Sequence, residues 1–371
     1  MNNTPRSIRM QTLTPPDTTP HAAPGPAQPR PVSEAAGRVR GSVEPERRPP
    51  GVWPAIGSVP VSVLIPVKNE AFNLPDCLRH CAWAAEVAVI DSGSDDDTEA
   101  IAQAMGADVY RFDYRRDAPG GWPKKKNWAL ENVPWAHEWV VIFDADEYAT
   151  PELAAEIEGV VTGRATPPRN GCGDGYWINR KLIFLGGWIR RCGYYPSWNV
   201  RLFKHAVGRY ERLSDTGDTG SGDNEVHEHV ILTTGEPGWL ENDFLHHAYR
   251  SIADWVEKHN RYSSWEAKVQ LLEEQGRADA AAGSGHSSAA HVEPALFGTR
   301  VQRRRWLKKA SLRVPFRPTL RFLYHYVVAG GFLDGRRGYT LCRLMGVYEF
   351  LSVAKHAELK RDAAPKPGGA A

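Results

Sequence analysis

The 371-residue chain has no apolar run long enough to cross a bilayer. A spanning helix needs roughly 20 such residues. The longest candidate, FLYHYVVAGGFL at 322–333, is shorter and contains His and Gly. The opening stretch MNNTPRSIRMQTLTPPDTTPHAAPGPAQPRP lacks the continuous apolar core of a signal peptide. Cysteine is sparse: Cys77, Cys81, Cys172, Cys192 and Cys342 form an odd set with scattered spacings and no CxxC pair. That argues against structural zinc and against a disulfide framework, and fits a reducing compartment. No GxGxxG follows an early strand, and no GxxxxGK[ST] occurs, so dinucleotide and P-loop fingerprints are missing. Nor is there an excess of one charge. Lys+Arg 46 against Asp+Glu 44 gives +2, so whole-chain charge selects no partner.

What is there begins with composition. Residues 1–57 are rich in Pro, Ala, Arg and Thr with little hydrophobic pattern, and read as a disordered tail. Beyond them, with 42% hydrophobic residues overall, the chain has enough apolar side chains for a sizeable core. VSVLIPV (61–67), EVAVIDS (86–92), DVYRFDY (108–114) and EWVVIFD (138–144) read as buried strands. Between and after them, helical patterns fall at 73–84, 96–106, 124–133 and 151–161, the last opening on Pro151. This alternation predicts an α/β fold with a mostly parallel sheet covered on both faces. In such sheets ligands bind beyond the carboxyl ends of the strands. Three of these strands end on polar clusters, Lys68-Asn69-Glu70, Asp91-Ser92-Gly93-Ser94-Asp95 and Asp144-Ala145-Asp146, which should gather along one edge. After residue 162, where the alternation stops, GYWINRKLIFLGGW (175–188) and NVRLFKH (199–205) read as further strands free to pair antiparallel, and a long helix is expected from Ile252 to about residue 274.

VVIFDADEYATP (140–151) carries the sharpest chemistry. A buried strand runs straight into two carboxylates, Asp144 and Asp146. Carboxylates beyond a strand end suit a hard divalent ion that also bridges substrate phosphates. The bland alternative is that Asp146, Glu147 or Thr150 caps the helix at Pro151. D-x-D alone is weak, since Asp95 and Asp97 form a second one. Asp91-Ser-Gly-Ser reads equally as a structural turn or as a ligand loop.

Taken in order, IPVKNE, VIDSGSDDDT, KKKNWAL and VVIFDADE resemble the family 2 glycosyltransferases, over roughly residues 60 to 160. The resemblance implies a GT-A-type, Rossmann-like sheet flanked by helices. It implies nucleotide contacts from Pro66, Glu70, Asp91, Lys126 and Asp144, and Mg²⁺ or Mn²⁺ held by Asp144 and Asp146. Many members carry two consecutive aspartates where this chain has Asp91-Ser92. Further on, CGYYPSWNVRLFKH, EVHEHV, LHHAYRSIADWVEKHNRYS and RPTLRFLYHYVVAGGFLDGRRGY resemble the subgroup that adds glucose to the lipopolysaccharide core. This implies a UDP-sugar donor and a lipid-linked saccharide acceptor. Glu228 is the candidate general base that takes the acceptor hydroxyl proton, with Asp223 and Glu225 as rivals. His246 is a further metal ligand or orients one, unless it is simply structural. His227-Glu228-His229 lacks the i,i+4 histidine pair of helical zinc proteases.

Between Arg300 and Arg321 lie nine Arg and Lys residues and no acid, with Trp306, Leu307, Leu312 and Phe316 interleaved. Arg303, Arg304, Arg305 and Trp306, together with Arg201, are candidate acceptor or membrane contacts. A solvated helix face and nucleic acid are the alternatives, and no nucleic acid is expected. The expected organisation is a tail at 1–57, a catalytic domain at 58–250, a long helix at 251–275, a flexible linker at 276–297, a basic amphipathic helical region at 298–358 that meets an anionic membrane surface, and a second tail at 359–371. The expected place is the cytoplasmic face of the membrane. Two other classes remain: a sugar-phosphate nucleotidyltransferase, opposed by KNEAFNLP where a Gly-rich basic loop should stand, and a non-catalytic membrane-associated binding protein.

Overall fold

The computed structural model describes residues 51–113, 125–210, 229–281 and 316–363. The strands are β1 (Val59–Val67), β2 (Ala84–Asp91), β3 (Asp108–Arg111), β4 (Trp139–Ile142), β5 (Glu147–Tyr148), β6 (Arg169–Gly171), β7 (Gly175–Phe184), β8 (Gly187–Trp188), β9 (Trp198–Lys204), β10 (Gly208–Tyr210), β11 (Val230–Leu232) and β12 (Pro237–His246). The helices are α1 (Leu74–Cys81), α2 (Thr98–Ala104), α3 (Lys125–Asn132), α4 (Pro151–Val161), α5 (Ile252–Ala281), α6 (Arg317–Leu323) and α7 (Gly335–Ala363).

One mixed sheet runs in the order β3-β2-β1-β4-β9-β7-β12-β5, with β6 beside β12 and β8 beside β7. β1, β2, β3 and β4 are mutually parallel. β9 is antiparallel to both β4 and β7, and β12 is parallel to β7. Two reversals restore the direction, so β7 and β12 run the same way as β1 and β4. The carboxyl ends of five long or central strands therefore meet at one edge, although β9 interrupts them.

The expected fold class is borne out: a mostly parallel mixed sheet flanked by helices. β1 and β4 are buried on both faces, as continuous apolar runs in a covered sheet must be. α1 turns Leu74, Cys77, Leu78 and Cys81 inward, which places both cysteines in the core. α1 and α4 pack on one face of the sheet with Val63, Ile65, Val141 and Phe244. α3 covers the other with Leu64, Ile90, Ile142 and Phe203. β10 and β11 form a separate antiparallel ribbon.

β12 was not legible in advance, because Glu241, Asn242 and Asp243 break its apolar pattern. α5 runs past the expected end near residue 275 to Ala281. Its RADAA run is rich in alanine, the strongest helix former. A third cluster joins Leu182, Phe184 and Ile189 of the sheet region to Trp255 of α5 and Leu341, Cys342 and Met345 of α7. α5 and α7 are pinned by the Tyr348 hydroxyl donating to Glu266 at 2.6 Å. Gly338 lets α7 close on the turn at Gly331–Asp334, since a Cβ there would strike the Gly331 carbonyl oxygen. Among the described residues no helix is long and apolar enough to cross a membrane.

Candidate active site

The three polar clusters do gather. After β1, Asn69 adopts a left-handed φ of 56°. Its backbone N–H donates to Ser94 Oγ at 2.9 Å, and its side chain accepts from the Asp95 N–H at 2.9 Å. The Glu70 N–H donates to Thr98 Oγ1 at 2.8 Å. The loops after β1 and β2 are thus stitched together by short polar side chains.

Asp91 builds the turn that follows β2. Its carboxylate accepts from the N–H groups of Gly93 (3.1 Å) and Ser94 (3.0 Å) and from the Ser94 hydroxyl. Gly93 sits at φ 82°, where a side chain would be strained. Asp91 is buried and shapes the loop. Lys125, which sequence reasoning passed over for Lys126, ties this loop to β1. Its Nζ donates to the Val67 carbonyl at 3.0 Å and to Ser92 Oγ at 3.1 Å. Pro66 is an in-register strand residue opposite Ile90.

The centre of the site follows β4. Asp144 pairs with Lys126 Nζ at 3.1 Å and with Arg201 Nη2 at 2.9 Å. Burial works to raise the Asp144 carboxyl, but Lys126 and Arg201 reverse this and hold it well below the usual carboxylate range. Asp146 lies 3.4 Å from His246 Nε2 at the end of β12. Burial likewise acts to raise Asp146, and His246 with Lys258 outweighs it, leaving the carboxyl lowered. β5 makes this meeting possible by pairing Glu147 with His246 in antiparallel register. Glu70 faces the same charges; burial raises its carboxyl, with Asp146 adding to the rise against a hydrogen bond from Asn73.

Helix capping falls to Thr150, whose Oγ1 accepts the Leu153 N–H at 3.2 Å. Neither aspartate of the D-x-D serves that end. Glu147 is the structural acid of the three. It is 0% exposed on its side chain, while that of Asp144 is 38% exposed and can reach a ligand. Glu147 accepts the Asp144 N–H at 3.0 Å and Arg201 Nη2 at 2.7 Å.

Arg201 was expected at an acceptor or membrane surface, and the structure corrects this. β9 is buried from Val200 to Phe203, and the guanidinium is used on Asp144 and Glu147 inside the sheet edge. The signal was available: an arginine inside an apolar strand is rarely buried without a partner acid. Glu228, together with Asp223 and Glu225, lies outside the described residues, as do Arg303, Arg304, Arg305 and Trp306. Tyr210, the last described residue before that loop, exchanges two hydrogen bonds with the Asn127 side chain, at 2.8 and 2.9 Å, and carries Lys126 over its ring at 5.4 Å.

Among the described residues no group of three or more His, Cys, Asp or Glu side chains is placed to hold a metal ion by itself. Asp146 and His246, adjacent at 3.4 Å, are oxygen and nitrogen donors that a divalent ion completing its shell with phosphate oxygens could use. Acids and bases thus pair in one cluster at the carboxyl ends of the strands.

Residues 62–195 match the model of the family described as Glycosyl transferase family 2. The chain carries a glycosyltransferase domain of that family. Over 312 residues, 81% of this chain and 93% of the relative, it is 24% identical to a lipopolysaccharide core biosynthesis glycosyltransferase, LpsC, of Rhizobium meliloti. It is 27% identical over 212 residues to an uncharacterized glycosyltransferase of Rickettsia felis, covering 56% of this chain and 69% of that one. Among solved structures, glucosyl-3-phosphoglycerate synthase of Mycobacterium tuberculosis, in complex with Mn²⁺, UDP and glucosyl-3-phosphoglycerate, matches at 18% identity and a TM-score of 0.27. That match covers 40% of this chain and 57% of the solved chain.

Proposed function

We propose that this glycosyltransferase moves a hexose from a UDP-sugar to a lipid-linked saccharide, such as a lipopolysaccharide core, in one inverting displacement. The observation that carries the reading is the division of labour after β4: Glu147 is sealed by Arg201, while Asp144 stays reachable and Asp146 stands beside His246. The likeness to a lipopolysaccharide core enzyme, over 81% of this chain and 93% of the relative, supports the acceptor class.

Asp146 and His246, with Asp144, would hold Mg²⁺ or Mn²⁺. Such an ion supplies neutralisation of the charge that develops on a departing diphosphate. Lys126 contributes a positive charge on the same side, held by Asp144 and the face of Tyr210. The Asp91 turn and Lys125 fix the loop shape against which a nucleotide would lie, and Glu70 lines its β1 side. Glu228 is the proposed base for the acceptor hydroxyl. A single displacement needs no covalent enzyme intermediate, so no nucleophilic Ser or Cys is required.

The test is calorimetric titration of UDP-glucose, UDP-galactose and UDP-N-acetylglucosamine, each with Mn²⁺ and with EDTA, on the wild type and Asp146→Ala. Metal-dependent binding of one donor, lost in the variant, is expected. Unchanged affinity in Asp146→Ala with Mn²⁺ would remove the metal assignment.

A further inference from the structure

Half of the large apolar side chains exposed among the described residues lie between Phe316 and Phe350. They concentrate where the chain turns from α6 into α7. Val327 and Val328 leave a π-helical turn, and Phe332 and Leu333 project from a 3₁₀ turn at Gly331–Asp334. Val328 is 75% exposed and Leu333 63%. Leu185, in the turn between β7 and β8, joins them, because Arg337 Nε reaches its carbonyl at 3.1 Å. A monomeric surface rarely clusters apolar groups this way without a partner.

Arginines flank the patch. Arg190, Arg191, Arg336 and Arg337 are all exposed. None of the four is in an ion pair among the described residues. Arg191 lies against Gly330 at the base of the tip. The one acid at the tip, Asp334, is occupied: its carboxylate accepts the N–H groups of Arg190 (3.3 Å) and Arg191 (2.8 Å). Apolar side chains flanked by arginines that form no ion pair among the described residues suit the interface of a bilayer with anionic head groups.

Topology then ties this patch to the acidic site. β7 passes Arg180, which lies 3.9 Å from Glu147, and ends at the Leu185 turn. Five residues of strand span about 17 Å. Between the two ends stand Lys181, 3.0 Å from Asp243, and Trp188, with Lys181 and Arg190 over its ring at 4.9 and 4.6 Å. Tyr195 donates to the same Asp243 at 3.1 Å. Lys181, Trp188, Tyr195 and Asp243 thus form a polar and aromatic row beside the patch, on the face of β7 and β12 opposite Arg180 and His246.

We propose that the tip formed by Leu185, Val327, Val328, Phe332 and Leu333, with its arginine collar, docks on an anionic lipid surface and turns the carboxyl edge of the sheet toward it. A saccharide projecting from that surface would then lie at the sheet edge that carries Asp146. The docking step deepens the proposed acceptor class, and its test needs neither donor nor acceptor, so the two readings fail separately.

The experiment is flotation of the full chain with phosphatidylcholine vesicles, with and without phosphatidylglycerol. It uses the wild type, Phe332→Ser/Leu333→Ser and Arg191→Glu/Arg336→Glu. Thermal unfolding and UDP-sugar binding serve as controls for the fold and the donor site. Binding to phosphatidylglycerol vesicles is expected, reduced at least tenfold in each double variant while both controls stay unchanged. Three results would overturn the proposal. One is no binding to anionic vesicles. Another is binding unaltered by Phe332→Ser/Leu333→Ser, which would place the contact elsewhere, as in 300–313. The last is a dimer in solution that this variant splits, which would make a second copy the occupant.

Discussion

Replacing Arg201 by Met should unfold the site from within, and should do so in proportion to pH. Met keeps most of the volume and removes the charge. Glu147 then stays fully buried beside Asp144 with its closest cation gone. Breaking a buried pair from one side costs about 3–5 kcal/mol. The structure suggests how the loss divides. Asp144 is more than a third exposed and keeps Lys126, so its share is screened and small. Glu147 carries the rest. Burial already raises its carboxyl above the ordinary 4.5, with Arg201 opposing the rise. Without Arg201 the group escapes burial of a charge by staying protonated. An acid with a raised folded pKa contributes stability that is intact below the unfolded value and lost as pH climbs toward the folded one. Holding the proton costs about 1.4 kcal/mol per pH unit above about 4.5, so the ceiling is about 5 kcal/mol at about pH 8 and under about 1 kcal/mol at about pH 5. Loss of the Asp144 interaction has the same sign. Urea unfolding of variant and wild type in EDTA at both pH values measures the difference. An equal loss at both, or a loss under about 1 kcal/mol at about pH 8, would refute the assignment of Arg201 as the partner that keeps Glu147 ionised.

Three other outcomes are expected. Asp146→Ala should lose metal-dependent UDP-sugar binding by at least about 1.4 kcal/mol, tenfold in affinity, read by calorimetry with Mn²⁺ and EDTA. Glu228→Gln should bind donor as the wild type does and lose transfer by about 10²-fold or more; wild-type turnover would move the base to another residue. Thr150→Ala should cost about 1 kcal/mol of stability by removing the α4 cap and leave donor affinity unchanged, which separates the cap from the D-x-D in a single denaturation and titration series.

Much of the parallel half was legible because its signals are local. β1 and β4 are apolar runs, α1 has its apolar residues at helical spacing, and α4 begins with Thr150 and Pro151. Where pairing at long range decides, the sequence was silent. β12 hides its strand pattern behind Glu241-Asn242-Asp243, yet its register with β5 and β7 brings His246 to Asp146. The Asp91-Ser-Gly-Ser pattern suits a turn or a ligand loop, and the fold shows the Asp91 carboxylate holding the turn through Gly93 and Ser94.

By itself the sequence determined the chemistry that the carboxyl edge can offer: two aspartates after a buried strand, basic residues on the following and preceding segments, and a family likeness in their order. Only the tertiary structure decided which charges are spent on each other. Glu147 and Arg201 stand far apart in sequence and neutralise one another because β9 runs antiparallel to β4 in the sheet. The apolar tip near Leu333 acquires its collar because the Arg190-Arg191 backbone binds Asp334, more than a hundred residues away. Local pattern fixes which face of an element is apolar. Which distant charge is desolvated with which depends on strand order and register, and no short stretch of the chain encodes that.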